Sequence, residues 1–206
     1  MAVDWKAVSA AIRRGQTGHA NEALRQLVSL ETACESDEDR AALFLGQSMC
    51  FAHLGQLTEA SAQIAKAKQM ATSREVMLQA EISEANILAL TSEHQRACEL
   101  YERIAKSYSD LLAADAESTQ ELDERYGYAL VHVKRFEEAV SVLQRLLASN
   151  RIDDEQRVRL YLGTALTELG HSAEARREFE SAAKGPNTTL SRDAIDRLSS
   201  LTNCVQ

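Results

Sequence analysis

Proline is nearly absent from this sequence. Pro186 is the single example, and glycine occurs only eight times in 206 residues. Alanine, leucine, glutamate, glutamine and arginine are abundant instead, and these residue types favour helix. No segment shows the alternating apolar pattern of a strand. The composition therefore predicts helix along almost the whole chain, which is long enough to bury a core without a metal or a disulfide.

Long apolar runs are absent as well. No stretch approaches the roughly 20 apolar residues that cross a bilayer, so no membrane insertion is predicted. The first residues, MAVDWKAVSAAIRRG, carry an acid at Asp4 and basic residues after the apolar ones, which is not the order of a secretory signal. We therefore expect a soluble, cytoplasmic protein.

Residues that could carry chemistry are scattered. The four cysteines have no close spacing, and no two of the five histidines lie three or four residues apart, so we expect buried reduced thiols, no metal and no cofactor. A net charge of −8 argues against nucleic acid as the main ligand. No nucleophile with a nearby base and no phosphate loop is evident, so we expect no enzymatic activity. The cysteines are Cys34, Cys50, Cys98 and Cys204.

An internal repeat emerges when each alanine that lies four residues before a large apolar residue is aligned. These anchors are 37, 37, 42 and 36 residues apart. They are Ala23 with Leu27, Ala60 with Ile64, Ala97 with Tyr101, Ala139 with Leu143, and Ala175 with Phe179.

Other positions follow the same register. Twelve residues before the last four anchors stand small residues, and nine before stand large apolar ones. A small residue lets two helices approach closely while a large one fills the space beside it, so each repeat is predicted to be a pair of packed helices. The small residues are Ser48, Ala85, Gly127 and Gly163; the large ones are Phe51, Leu88, Leu130 and Leu166.

In these positions the chain resembles the tetratricopeptide repeat (TPR) family, whose unit follows W-x2-L-G-x2-Y, then A-x3-F, then a proline. The residues that match best are Leu162, Gly163, Leu166, Ala175, Phe179, Ala182 and Pro186, and Trp5 with Val8 begins the first unit. The resemblance implies an all-α, right-handed α-solenoid with units at about 3–34, 38–71, 74–113, 118–150 and 153–187, followed by a capping helix and tail at 188–206. Glu81, Glu84 and Lys134 depart from the family pattern.

The sequence also predicts where helices begin and end. Thr72, Ser118 and Asp153 are each followed three residues later by Glu or Gln, which predicts helix starts. The stretch IAKSYSDLLAADAES, residues 104–118, contains no glycine or proline, so an extended second helix of the third unit is expected. A domain boundary at this stretch is the alternative.

The resemblance further implies that the first helix of every unit lines a concave groove that binds a partner. Asn86 is either a ligand-holding carboxamide or a solvated side chain, and some of the groove positions could instead pack between neighbouring units. In the fifth unit the equivalent positions are Leu160, Thr164 and Thr167. The candidate partner-binding residues are Lys6, Leu45, Met49, Ile82, Asn86, Glu124, Tyr128 and Val131.

These features predict a protein-protein interaction module, an adaptor, scaffold or chaperone-like protein that binds a peptide or helix of a partner. The ligand is expected to be apolar or amphipathic, because Met49 and Tyr128 lie beside aliphatic positions. An acidic C-terminal tail is not expected, since only Lys6 and Asn86 fit the basic and amide positions of the family's tail-binding members. The alternative is a homo-oligomer whose apolar surface is covered by a second copy.

Overall fold

The computed structural model describes residues 18–149, 152 and 154–203, and all regular structure in these residues is helical. The predicted first helix of the first unit, with Trp5 and the candidate Lys6, lies outside the described residues. The helices are α1 Ala20–Leu30, α2 Asp37–His53, α3 Leu57–Met70, α4 Arg74–Leu90, α5 His94–Ser107, α6 Ser109–Ala114, α7 Ala116–His132, α8 Phe136–Ala148, α9 Glu155–Glu168, α10 Ser172–Ala182 and α11 Thr188–Asn203.

The same turn geometry recurs in four helix hairpins: α2 with α3, α4 with α5, α7 with α8 and α9 with α10. In each turn a single residue adopts a left-handed backbone, with φ of 73° at Gly55, 64° at Ser92, 63° at Lys134 and 80° at Gly170. These residues are 37, 42 and 36 positions apart, as the repeat predicts. Lys134 therefore keeps the register, although a residue with a Cβ atom adopts this backbone less easily than glycine.

The backbone hydrogen bonds of these turns repeat as well. The residue after each left-handed position donates its N–H to the carbonyl five residues earlier, over 2.8–3.0 Å. This pattern satisfies a carbonyl that the helix end leaves without a partner. The four accepting carbonyls belong to the large apolar residues predicted from the repeat, Phe51, Leu88, Leu130 and Leu166.

The anchor positions are buried in every repeat. All five anchor alanines have 0% exposure, and the large residue four positions after each anchor is at most 3% exposed. A Cβ atom added to Gly163 would lie 2.6 Å from the Phe179 ring, and one added to Gly127 would lie 2.5 Å from Leu143. Only glycine allows the two helices to approach this closely.

The chain divides into two compact units, residues 1–111 and 112–206, and the division falls within α6. It lies in the stretch where the sequence left a boundary open, and the single extended helix predicted there is wrong. Helix α5 ends at Ser107, and Tyr108 leaves the helical conformation with φ −123° and ψ 26°. Arg74 donates to the Ser107 carbonyl at 3.1 Å and to the Asp110 carboxylate at 2.7 and 3.0 Å. A side chain from α4 therefore satisfies the helix end without glycine or proline.

The predicted start of α4 is displaced by one residue. Ser73 caps the helix, because its hydroxyl accepts the N–H of Val76 at 3.2 Å. Thr72 instead donates its N–H and its hydroxyl to the Glu38 carboxylate, both at 2.7 Å, and Ser73 also donates to that carboxylate. Glu38 in the first turn of α2 thereby holds the start of α4.

The other two predicted helix starts are also wrong. Helix α7 begins after Asp115, whose carboxylate accepts the N–H of Glu117 and the hydroxyl of the buried Ser118. Helix α9 begins after Asp154, which accepts the N–H of Arg157 at 3.1 Å, while Asp153 lies outside the described residues. In both cases the capping residue is an aspartate close to the predicted one. The three-residue spacing alone did not show which of the two neighbouring candidates caps the helix.

Gln156 fastens the last helix to the second unit. Its amide nitrogen donates to the carbonyls of Ala182 and Asn187 and to the Ser191 hydroxyl, over 2.8–3.0 Å, while its oxygen accepts the N–H of Asn187 at 2.9 Å. Gly185 leaves space for this side chain, since a Cβ atom there would collide with it at 2.3 Å. Helix α11 then packs its apolar side on the core of this unit, and Arg192, Asp196, Ser199 and Ser200 are exposed.

We expect Gly163→Leu to destabilise the second unit by several kcal/mol. Overpacking typically costs about 1–3 kcal/mol, the added side chain is large, and the higher helix propensity of leucine returns only about 1 kcal/mol. The melting temperature measures the effect. Ala173→Leu, on the exposed side of α10, is the control and should melt like the wild type. An unchanged melting temperature for Gly163→Leu would show that α9 and α10 do not meet at this residue.

Replacement of Gln156 by alanine should lower the melting temperature by several degrees. It leaves the Asn187 N–H without its partner and removes one of the two donors to the Ala182 carbonyl, which keeps the Gly185 N–H. An unsatisfied group costs roughly 1–3 kcal/mol, and each kcal/mol corresponds to about 2–4 °C in a chain of this size. Gln144→Ala, at an exposed position of α8, removes the same amide and should have little effect. Equal melting of the two variants would contradict the fastening role.

Glu38 should make unfolding sensitive to acid. Hydrogen bonds from Ser73 and Thr72 lower the pKa of its carboxyl to about 2, so its contribution is present above the unfolded pKa, near 4.5, and is lost as the pH falls towards 2. The free energy of unfolding of the wild type should exceed that of Glu38→Gln at pH 7, and the difference should shrink between pH 4.5 and 2. The exposed Glu59, replaced by glutamine, provides the control. A difference that does not change with pH would contradict this prediction.

Candidate partner-binding surface

In the first compact unit, residues 1–111, several side chains of the predicted site are buried in the core. Ile82 is 1% exposed. Leu45 is 9% exposed and belongs to a core cluster with Phe44 and Ala80. Met49 on α2 is only half-buried. Side chains that are buried this deeply stabilise the unit and offer a ligand little surface, which is the packing alternative that the sequence left open.

Asn86 has a partner within the unit. Its side-chain oxygen accepts a hydrogen bond of 2.7 Å from the hydroxyl of Tyr101, which is itself fully buried. The carboxamide therefore satisfies a tyrosine that the repeat places in the core, because a buried hydroxyl without a partner would be costly. The carboxamide oxygen is thus used within the unit, an arrangement that the two alternatives drawn from the sequence did not include.

Glu84, which departs from the family pattern, is also paired. Its carboxylate accepts a hydrogen bond from the Lys68 ammonium at 2.8 Å, and both side chains are partly exposed. The pair joins α3 to α4. A charged residue at this usually apolar position is accommodated because its partner stands on the neighbouring helix.

In the second unit, aromatic side chains of α7 and α9 come together. The ring of Tyr128 stacks on that of Tyr161, with centroids 4.3 Å apart and an angle of 29° between the planes. His132 approaches the Tyr161 hydroxyl to 3.3 Å and meets its ring edge-on. We call Tyr128, His132 and Tyr161 the aromatic surface.

The three residues differ in exposure. Tyr128 is 8% exposed and belongs to the core, together with the half-buried Val131, whereas Tyr161 is half-buried and His132 is exposed. Tyr161 and His132 are therefore the accessible members of the aromatic surface, and Tyr128 is its buried member. Tyr128 was predicted, but sequence reasoning missed Tyr161. Helical spacing could have found it, because Tyr161 lies three residues before the predicted Thr164 and shares its side of α9.

A partly buried acid lies next to the aromatic surface. Burial raises the pKa of the Glu124 carboxyl above its usual value, and burial together with this carboxyl raises the pKa of the Tyr128 hydroxyl. The two groups follow each other on one side of α7, since residues four apart are neighbours on a helix.

At the other edge of the surface, the last helix reaches a predicted groove position. Arg197 of α11 donates to the Thr164 hydroxyl at 3.0 Å and pairs with Asp193 at 3.1 Å. Thr164 in turn donates to the Leu160 carbonyl at 2.8 Å. Leu160 itself is 5% exposed. The equivalent positions of the fifth unit are thus engaged within the protein.

Over the described ranges, no three His, Cys, Asp or Glu side chains gather where they could hold a metal ion. None of the described helices combines the length and the apolar composition that crossing a bilayer requires. Cys34, Cys50 and Cys98 are buried free thiols, as predicted, and Cys204 lies outside the described residues. Burial raises the pKa of the Cys34 and Cys50 thiols, which keeps them protonated and unreactive at neutral pH.

No protein-family model matches the sequence, and no curated protein matches it. Several solved structures match its fold. The nearly identical TPR-like repeats of a Podosopora anserina kinesin light chain superpose with a TM-score of 0.64 at 20% identity, over 86% of this chain and 91% of that one. MamA from Desulfovibrio magneticus RS-1 gives 0.60 at 17% identity, over 93% and 98%.

A third neighbour is PlcR of Bacillus thuringiensis, solved in complex with the peptide PapR7 and DNA. It superposes with a TM-score of 0.71 at 17% identity, over 96% of this chain and 73% of that one. At these identities the likeness concerns the fold. The shared hairpins, the recurring turn and these neighbours together show that the chain has the all-α solenoid fold of the tetratricopeptide repeat.

Proposed function

We propose that this chain is a protein-protein interaction module, an adaptor or scaffold that binds a peptide or helix of another protein on the first helices of its hairpins. The observation that carries the proposal is the stack of Tyr161 on the buried Tyr128, with His132 beside it. PlcR, which has the same fold, is solved with a bound peptide, and this supports the general kind of ligand.

The aromatic surface has the properties of a binding anchor. Tyrosine offers a large apolar area and one hydroxyl, and it loses little conformational freedom on binding because it has few rotatable bonds. Here the ring of Tyr128 is fixed in the core at 8% exposure, and it holds the ring of Tyr161 in place by stacking before a ligand arrives. An amphipathic segment could cover Tyr161 with an apolar side chain and place a polar group near His132.

The first unit contributes less to the proposed binding. Leu45 and Ile82 are used in packing, and Asn86 is hydrogen-bonded to Tyr101. Among the predicted residues of this unit, the half-buried Met49 retains accessible apolar surface, and its flexible side chain can adapt to a ligand. We therefore assign the main anchor to α7 and α9.

We expect Tyr161→Ala to weaken peptide binding at least about tenfold, the loss typical of an aromatic anchor at an interface. The probe is a peptide selected on the full chain from a random peptide library, and its dissociation constant is measured by calorimetry. Because Tyr161 is half-buried, the variant should stay folded by circular dichroism. Tyr126→Ala is the matched control, since Tyr126 is two residues from Tyr128 and faces another side of α7.

Two outcomes would contradict the proposal. Selected peptides that bind Tyr161→Ala as tightly as the wild type would move the binding site off the aromatic surface. A molecular mass that rises with protein concentration in light scattering, and that returns to the monomer in Tyr161→Ala, would show that a second copy of the chain covers the surface.

A further inference from the structure

Glu124 and Tyr128 form an incompletely satisfied polar pair next to the aromatic surface. The Tyr128 side chain is more than nine-tenths buried, and its enclosed hydroxyl approaches the Glu124 carboxyl without reaching ordinary hydrogen-bond geometry. The Glu124 carboxyl lies close to this hydroxyl and is itself partly buried. A hydroxyl and a carboxylate removed from water without full partners are both unfavourable.

The neighbouring cations do not neutralise Glu124. Arg157, at the start of α9, is engaged with Asp154, with its Nε 3.1 Å from that carboxylate. Arg125 is exposed and follows Glu124 directly, so it projects from a different side of α7. No described lysine or arginine nitrogen lies within 4 Å of the Glu124 carboxylate, although both arginines act on it at longer range.

Two other partly or fully buried acids of the second compact unit are paired with arginine. Asp123, next to Glu124 in sequence and 6% exposed, accepts two hydrogen bonds from Arg145 at 2.6 and 2.9 Å. Glu178 receives a guanidinium of Arg159 at 2.8 Å. The fold thus supplies an arginine where an acid only joins two helices. Glu124, on the side of α7 that carries the aromatic surface, lacks such a partner.

We propose that the Glu124 carboxylate binds a lysine or arginine side chain of the partner segment. The ammonium or guanidinium donates its N–H groups to this carboxylate and supplies the cation that Glu124 lacks, while the enclosed Tyr128 hydroxyl stays out of reach of the ligand. The inference rests on the proposed function and specifies its ligand: an amphipathic segment with an apolar residue over Tyr161 and a basic residue beside it.

Binding of the cation should be visible at Glu124 itself. The charged groups around this carboxyl are Arg125 on α7 and Asp154 and Arg157 on α9, and the neutral Tyr128 hydroxyl on α7 also faces it. A bound ammonium favours the ionised carboxylate, so the pKa of Glu124, followed by carboxyl ¹³C NMR, should fall when a selected peptide is added. The same peptide with its basic residue replaced by methionine should leave the pKa higher.

The test uses the full chain and peptides selected on it from a random library. We expect the selected peptides to share one lysine or arginine at a fixed position, and its replacement by methionine to weaken binding at least about tenfold. Glu124→Gln should cause a similar loss, and in this variant the methionine peptide should bind as well as the basic one. Glu117→Gln, at an exposed position of α7, is the matched control and should bind like the wild type.

Selection on Glu124→Lys extends the test, because the reversed charge should enrich acidic residues at the same peptide position. If Glu124→Gln fails to fold, the methionine replacement on the wild type still decides the matter. The cation site alone would be overturned by peptides that carry no fixed basic residue, bind Tyr161→Ala more weakly, and bind Glu124→Gln as tightly as the wild type. Peptides that bind both variants as tightly as the wild type would overturn the proposed function.

Discussion

In the two hairpins of the second compact unit, a small residue of the first helix lies against a large side chain of the second: Gly163 against Phe179 and Gly127 against Leu143. This close contact fixes the distance and rotation of the two helices, because ridges of one helix must fit the grooves of the other. Once the second helix occupies one side of the first, the opposite side is presented outward. Tyr128, Tyr161 and Glu124 lie on first helices, so their placement depends on this contact.

Most of the fold could be predicted because each repeat is defined by residues a few positions apart in the sequence. The anchor alanines, their large partners and the turn positions recur with the same separations in the sequence and in the structure. Lys134 departs from the pattern in residue type, yet its backbone takes the same left-handed conformation as Gly55 and Gly170. The hairpin constrains the turn more strongly than the preference of one residue does.

The errors at the end of α5 and at the start of α4 share a cause, which is a side chain distant in sequence. Arg74 ends α5 by bonding the Ser107 carbonyl, although nothing near Ser107 signals a helix end. Thr72 does not cap α4 as predicted, because its N–H and hydroxyl donate to Glu38, 34 residues away. Such contacts become visible only when the helices are packed, so local patterns predicted the helices better than their ends.

The candidate site was predictable in part for the same reason. Family positions led to the first helices, where the proposed aromatic surface also lies, but three positions per helix could not tell which side chains face a neighbouring repeat. Ile82 is therefore buried, and Asn86 is bonded to Tyr101. Tyr161 was missed because it lies beside those positions, and its importance arises from the stack with Tyr128 on another helix.

The central claim is that the hairpins of the second unit turn the first-helix side of α7 and α9 towards a protein ligand. The most direct measurement is NMR mapping of chemical-shift changes when a selected peptide is added to the full chain. The account predicts that the largest changes fall on Glu124, His132 and Tyr161. Changes concentrated on exposed residues of the second helices, such as Gln144 on α8 and Arg176 on α10, would contradict it.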